Sequence, residues 1–129
     1  MSSLFSLQGR TAVVIGGTGE LCGAMAEGFA GAGAHVILVG RDPVKAEARL
    51  AKIKAAGGAG EFKVGEATNK ADLVRLRDEI LAQHGKVDIL VNGAGVNSPT
   101  PFLEIDEAQL DRILTVNIKG VVFGCQVFG

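Results

Sequence analysis

Residues Thr11 to Gly23 read TAVVIGGTGELCG: a β-branched run, a glycine cluster, and then the small-residue helical pattern Ala24-Met25-Ala26-Glu27-Gly28-Phe29-Ala30. Strand, glycine-rich turn and helix in that order can hold the pyrophosphate of a dinucleotide. The glycines let the backbone turn tightly and approach a ligand, and the new helix offers unpaired N–H groups at the positive end of its dipole. Gly16, Gly19 and the first-turn residues Glu20 and Leu21 are the candidate contacts, and Thr18 adds a hydroxyl donor. Glycine-rich turns also occur without ligands. The β-α alternation along the rest of the chain is what favours the nucleotide.

The pair Gly40-Arg41 bears on which dinucleotide is bound. A site for NAD usually places a carboxylate at the end of the second strand, on the ribose hydroxyls. Gly40 cannot supply one, whereas a guanidinium at Arg41 can clamp a 2′-phosphate bidentately. NADP(H) is therefore favoured over NAD(H). The plainer role for Arg41 is a solvated cation that pairs with Asp42 or covers the adenine.

Other reactive side chains have bland readings. His35 opens a strand and reads as a surface or satisfied core histidine. His84 precedes Gly85 at a helix end, where a cationic imidazole suits the dipole. Cys22, near a helix start, is better explained by packing than by a depressed pKa. Cys22 and Cys125 stand far apart with no metal-ligand spacing around them, which suits reduced thiols in the cytoplasm and no metal.

The elements that must position these groups follow from periodicity. Strands are expected at Thr11 to Ile15, His35 to Val39, Glu61 to Gly65 and Val87 to Val91. The first helix should run from Glu20 to about Ala32, closed by Gly31-Ala32-Gly33-Ala34. The second starts at Pro43 and runs to about Ala56, with Val44, Ala48, Ala51 and Ala55 on its apolar face, before Gly57-Gly58-Ala59-Gly60. Asn69 caps a third helix much as in a capping box with Asp72, and Leu73, Leu76, Ile80 and Leu81 form its stripe. A last helix, capped by Asp106, carries Leu110, Ile113, Leu114, Val116 and Asn117. Such alternation implies an α/β, doubly wound parallel sheet. With the first strand central, the order is 3-2-1-4, and the crevice opens at the carboxyl ends of the first and fourth strands.

Composition narrows the classes. The chain has 129 residues, which suits one domain or the N-terminal part of one, here 1–129. Its hydrophobic content of 47% fits strands buried on both faces. No apolar run approaches the ~20 residues of a membrane span. A net charge of −1 leaves no basic footprint for nucleic acid. MSSLFSLQGR lacks the pattern of a secretory signal.

GGTGELCG after the first strand, GRD after the second, NGAG after the fourth and the asparagine in LTVNIKG resemble the short-chain dehydrogenase/reductase family. The resemblance runs from Leu7 to Gly129. Laid on the family's T-G-x-x-x-G-x-G, Gly16 is the first glycine, Glu20 and Cys22 replace the second and third, and Ile15 replaces the threonine. The family's N-N-A-G reads Asn92-Gly93-Ala94-Gly95. Glu66, followed by Ala67, matches the acidic position after the third strand. Asn117 matches the catalytic asparagine that holds a water in the proton relay. GGTGELCGAMA with GRDPVKAE is similar to a mannonate-type, sugar-acid branch.

The resemblance implies a Rossmann-type fold and a cytoplasmic NADP- or NAD-dependent oxidoreductase acting on a secondary alcohol or ketone, with sugar acids among the candidate substrates. It also implies a homo-oligomer. The serine, tyrosine and lysine of that chemistry lie beyond the segment matched here, and the chain has no tyrosine. This segment alone is therefore expected to be inactive, and incomplete as a sheet. A silent nucleotide-binding module acting through a partner is the alternative. Glu20, a carboxylate beside a pyrophosphate, is expected to weaken binding unless its side chain turns away. Gly93 is expected to cost little.

Overall fold

Thr11–Ile15 form β1, and all five residues are buried. A strand apolar at nearly every position, rather than at alternate ones, must be covered on both faces. The computed structural model describes residues 3–129. After β1 come α1 (Glu20–Gly31), β2 (His35–Gly40), α2 (Pro43–Ala55), β3 (Ala59–Val64), α3 (Lys70–His84) and β4 (Ile89–Asn92). Then follow a short 3-10 turn (Phe102–Glu104), α4 (Glu107–Leu114), a π turn (Thr115–Lys119) and α5 (Gly120–Phe128). The strands are parallel and ordered β3-β2-β1-β4, as expected from the sequence. In this register Ile15 lies opposite Val39 on one side and Asn92 on the other.

The two faces of β1 face different helices. Val13 and Ile15, with Ile37 and Val39 of β2, pack against Leu73, Leu76 and Ile80 of α3 and Val127 of α5. Ala12 and Val36 meet Ala30 and Ile53, while Val14 and Leu38 meet Cys22 and Ala26. Leu81 is 41% exposed and stands outside the α3 stripe. The inward face of α2 is also not the expected one. Ala46 and Ile53 are buried and Leu50 packs beside them, while Val44, Ala48, Ala51 and Ala55 face solvent. The larger side chains at 50 and 53 take the core, because leaving alanine wet costs little.

Boundaries shift by a residue or two. The helix α1 stops at Gly31, with Ala32 as its cap and Gly33 at φ +104°. The helix α2 begins at Pro43 after Asp42, whose side chain accepts from the Val44 and Lys45 N–H groups. Ala59 and Gly60 belong to β3 rather than to the preceding turn. A Cβ on Gly60 would sit 2.8 Å from Val36 Cγ2, so its bareness lets β3 close on β2. Val87 and Asp88 lie outside β4. Asp88 instead grips the start of β1: the Thr11 N–H donates to Asp88 Oδ2 at 2.8 Å and the Asp88 N–H to Thr11 O at 2.9 Å.

Asn69 caps α3 by accepting from the Asp72 N–H, but the Asp72 carboxylate does not return the bond. It accepts instead from the Glu66 N–H at 2.7 Å and from Arg75 at 2.6 Å. Asp106 and Gln109 do form a reciprocal capping box at α4. The single last helix expected from the sequence is interrupted by the π turn. Beyond it, Gly120, Gly124 and Val127 face inward.

Candidate functional site

The carboxyl ends of β1, β2 and β4 and the loop after β3 open onto a crevice of about 420 Å³. The chain leaves β1 for β2 on one side and reaches β4 on the other, so the crevice lies at the topological switch point of the sheet. Gly16, Gly19, Gly40, Arg41, Glu66, Ala67, Ala94 and Gly95 line it, with Thr68, Val96, Arg112 and Val116. Gly16 has φ +82°, and a Cβ there would also stand 2.7 Å from Gly93 O. Only glycine fits. Gly19 caps α1 without a side-chain hydrogen bond, so the first turn of that helix keeps its N–H groups for an anion.

Arg41 does not pair with Asp42, which is occupied in capping α2. Its guanidinium instead meets Glu66 at 3.1 Å, across the rim of the crevice. Arg41 is 75% exposed, so this pair is screened and weak. Thr68 donates to Glu66 Oε1, and the Glu66 N–H is held by Asp72. Arg75 is the main reason the Asp72 carboxyl titrates below the ordinary range, and the Glu66 N–H adds to it. The β3–α3 loop is thus held by a carboxylate that stays charged.

Five sequence candidates, Asn117 among them, lie off the crevice wall. Thr18 and Glu20 line a separate small pocket with Lys45, Ala48, Arg49 and Lys52. Leu21 projects to solvent at 73% exposure, leaving only its backbone near the turn. Asn92 faces α5: its Nδ2 donates to Cys125 Sγ at 3.4 Å, while its buried Oδ1 has no hydrogen-bond partner. Gly124 provides the room for that amide.

Asn117 lies within the π turn. Its Nδ2 donates to Val96 O at 2.7 Å and to Ile113 O at 2.8 Å, tying the loop after β4 to the helix. Arg112 is a lining cation that the sequence motifs do not single out. A signal for it exists, since it stands one helical turn before Val116 on an element expected to be helical. Arg49 carries no such signal. It pairs with Glu27 at 2.7 Å, reaches Gly19 O at 3.3 Å and lies over Gly23, so it fastens α2 to the start of α1.

The family model described as short chain dehydrogenase matches residues 10–128. The chain belongs to this family. It spans about half the length of the curated relatives it matches. The uncharacterised oxidoreductase UxuB of Bacillus subtilis is 34% identical, over 96% of this chain and 50% of the relative. D-threitol dehydrogenase of Mycolicibacterium smegmatis is 31% identical, over 97% of this chain and 48% of its own. A metagenomic short-chain oxidoreductase solved in complex with NADP superposes with a TM-score of 0.87 at 32% identity, covering 95% of this chain and 56% of that one.

Two departures from the short-chain dehydrogenase pattern are spatially one. Cys22 stands at the motif's third glycine and Gly93 at its second asparagine. A Cβ on Gly93 would fall on Cys22 Sγ, so the sulfur occupies the space a side chain at 93 would need. Cys22 is 8% exposed and packs with Val14, Ala26 and Leu38, which is the packing role expected for it. The third departure, Glu20, is set among the cations of the second pocket and away from the crevice lining. Among the described residues, no helix is long and apolar enough to cross a membrane.

Proposed function

We propose that the protein is an NAD(P)(H)-dependent oxidoreductase that interconverts a secondary alcohol and a ketone, and that this chain builds its cofactor crevice. The observation that carries the reading is the glycine-lined crevice at the switch point, with an uncapped helix start on one wall and Arg41 on its rim. The pyrophosphate sits against Gly16, Gly19 and the backbone of Glu20 and Leu21, and Thr18 adds its hydroxyl once it turns from the second pocket. Glu66 and Ala67 line the adenine end next to Arg41. Ala94 and Gly95 line the far wall, and Asn92 anchors that wall to α5. When bound, the cofactor supplies the hydride chemistry. Asn117 is a positioning residue here: it fixes the loop at Val96 and, by family resemblance, a water of the proton path.

NADP(H) is the cofactor we assign. Gly40 brings no carboxylate to the ribose hydroxyls, and a Cβ there would stand 2.9 Å from Thr18 Oγ1. Arg41 must leave Glu66 to clamp a 2′-phosphate. An exposed pair of that kind is worth about 0–1 kcal/mol, less than the charge-assisted bonds it would gain. The likeness to an NADP-bound oxidoreductase supports the assignment. As substrate we propose a small polyhydroxylated molecule, a polyol or sugar acid, in keeping with a relative named for D-threitol.

The test is a titration of the full-length protein with NADPH and NADH, followed by nicotinamide fluorescence. Arg41→Ala is expected to weaken NADPH by about 1–3 kcal/mol, roughly 5- to 150-fold, and NADH far less. Equal losses for the two would refute the phosphate clamp.

A further inference from the structure

At the end of the sheet opposite the crevice, His35 opens β2, Glu61 lies in β3 and His84 closes α3. Their spacing in the chain gives no hint that they meet. The fold brings the three together, with their ligand-type atoms all within 4.8 Å of one another. His84 Nε2 is 2.9 Å from Glu61 Oε1, and His35 Nε2 is 3.9 Å from the same oxygen. The two imidazole rings stand 4.5 Å apart, tilted by 37°.

His35 Nε2 is buried and makes no hydrogen bond. A buried polar atom of that kind is costly unless something else satisfies it, and native structures rarely leave one so. The contact of His84 with Glu61 does not account for it. We propose that His35, Glu61 and His84 bind one divalent cation of the zinc class, bridging β2, β3 and α3.

The chemistry of the donor set selects the ion. Two imidazole nitrogens and one carboxylate oxygen suit zinc, whereas magnesium and calcium prefer all-oxygen sites. Zinc–ligand bonds of about 2.0–2.2 Å at tetrahedral angles put ligand atoms roughly 3.3–3.5 Å apart. The observed 2.9 and 3.9 Å straddle that spacing and the two imidazole nitrogens lie within 4.8 Å, so side-chain rotations that close the last gap by up to about 1.4 Å complete the geometry. The neutral imidazole is the form that ligates. The three side chains are 32%, 32% and 21% exposed, which gives an ion a path in and leaves the fourth position to water. The site pins the last turn of α3 to two neighbouring strands and lies away from the cofactor.

The test uses the full-length protein freed of metal by chelation. Zinc titrated against a chromogenic chelator is expected to bind at one equivalent per chain with micromolar or tighter affinity. Cobalt in its place should give the visible absorption of a tetrahedral site without the near-ultraviolet bands of thiolate ligation. His35→Gln, Glu61→Gln and His84→Gln should each weaken zinc by more than the roughly 10-fold at the low end for supporting residues, with circular dichroism and NADPH binding retained. Absence of zinc binding in the unsubstituted protein, a thiolate spectrum, or affinity unchanged in folded variants would each overturn the site. Should a variant fail to fold, the cobalt spectrum of the unsubstituted protein decides alone.

Discussion

Gly93→Ala should destabilise the protein chiefly through its clash with Cys22 Sγ, and should cost less when made in a Cys22→Gly background. Gly93 is not among the residues with positive φ, so its backbone accepts a side chain without strain. The obstacle is steric: the new Cβ falls on Cys22 Sγ and stands 2.6 Å from Ile15 O. Overpacking costs about 1–3 kcal/mol, and a Cβ that falls on a buried sulfur belongs in the upper part of that range, about 2–3 kcal/mol. Cys22→Gly by itself loses about 0.5–1 kcal/mol of helix propensity and a further ~1 kcal/mol of sulfur packing. In that background the sulfur is gone while Ile15 O remains, so making Gly93→Ala as well should cost only about 1 kcal/mol more. The coupling energy is then about 1–2 kcal/mol, within the range measured for residues in contact. Equilibrium urea unfolding of the four proteins, read by circular dichroism, measures it. Additivity within about 0.3–0.5 kcal/mol would refute the claim that the two departures from the family pattern share one volume.

Asp88 titrates below the ordinary carboxylate range, chiefly because it accepts the Thr11 N–H and secondarily because of Lys86 and Arg10. A carboxyl whose folded pKa is depressed stabilises fully above its unfolded value near ~3.9 and loses that contribution as pH falls through the folded one. Stability should therefore drop on acidification below about pH 4, and Asp88→Asn should flatten that slope in urea unfolding at stepped pH; an unchanged slope would count against the grip on β1. Separately, Leu110, Leu114, Ile118 and Val122 form an outward stripe, exposed by 47%, 45%, 57% and 45%, and among the described residues β4 pairs only with β1. The 129-residue chain expressed alone is expected to self-associate in sedimentation velocity at micromolar concentration, less so with Ile118→Glu; a stable folded monomer would contradict this.

The sheet order could be read from the sequence because each β-branched run is followed by a glycine turn and a helix with a usable stripe, leaving β1 one consistent place. The face of α2 could not, since alanines at 48, 51 and 55 mimic a stripe while Ala46, Leu50 and Ile53 carry the contacts. The glycine loop and the rim at Arg41 were visible in local residue types. The partner of Arg41 was not, because Glu66 arrives from another crossover. The His35, Glu61 and His84 cluster and the shared volume of Cys22 and Gly93 depend on segments far apart in the chain, which no periodicity encodes.

The π turn at Thr115–Lys119 makes the last helical run sensitive to length rather than to composition. A π turn holds one residue more than an α turn, and each helical residue advances the screw by about 100°. The wide turn absorbs that surplus residue, so the half that carries Arg112 and Val116 into the crevice and the half that turns Gly124 toward Asn92 keep their phase. Point substitutions on this screw exchange one contact at a time. Deleting a single residue from the turn would restore a smooth α-helix with both halves still in phase, whereas deleting one from α4 or α5 would turn everything beyond it by about 100° and dismantle the wall.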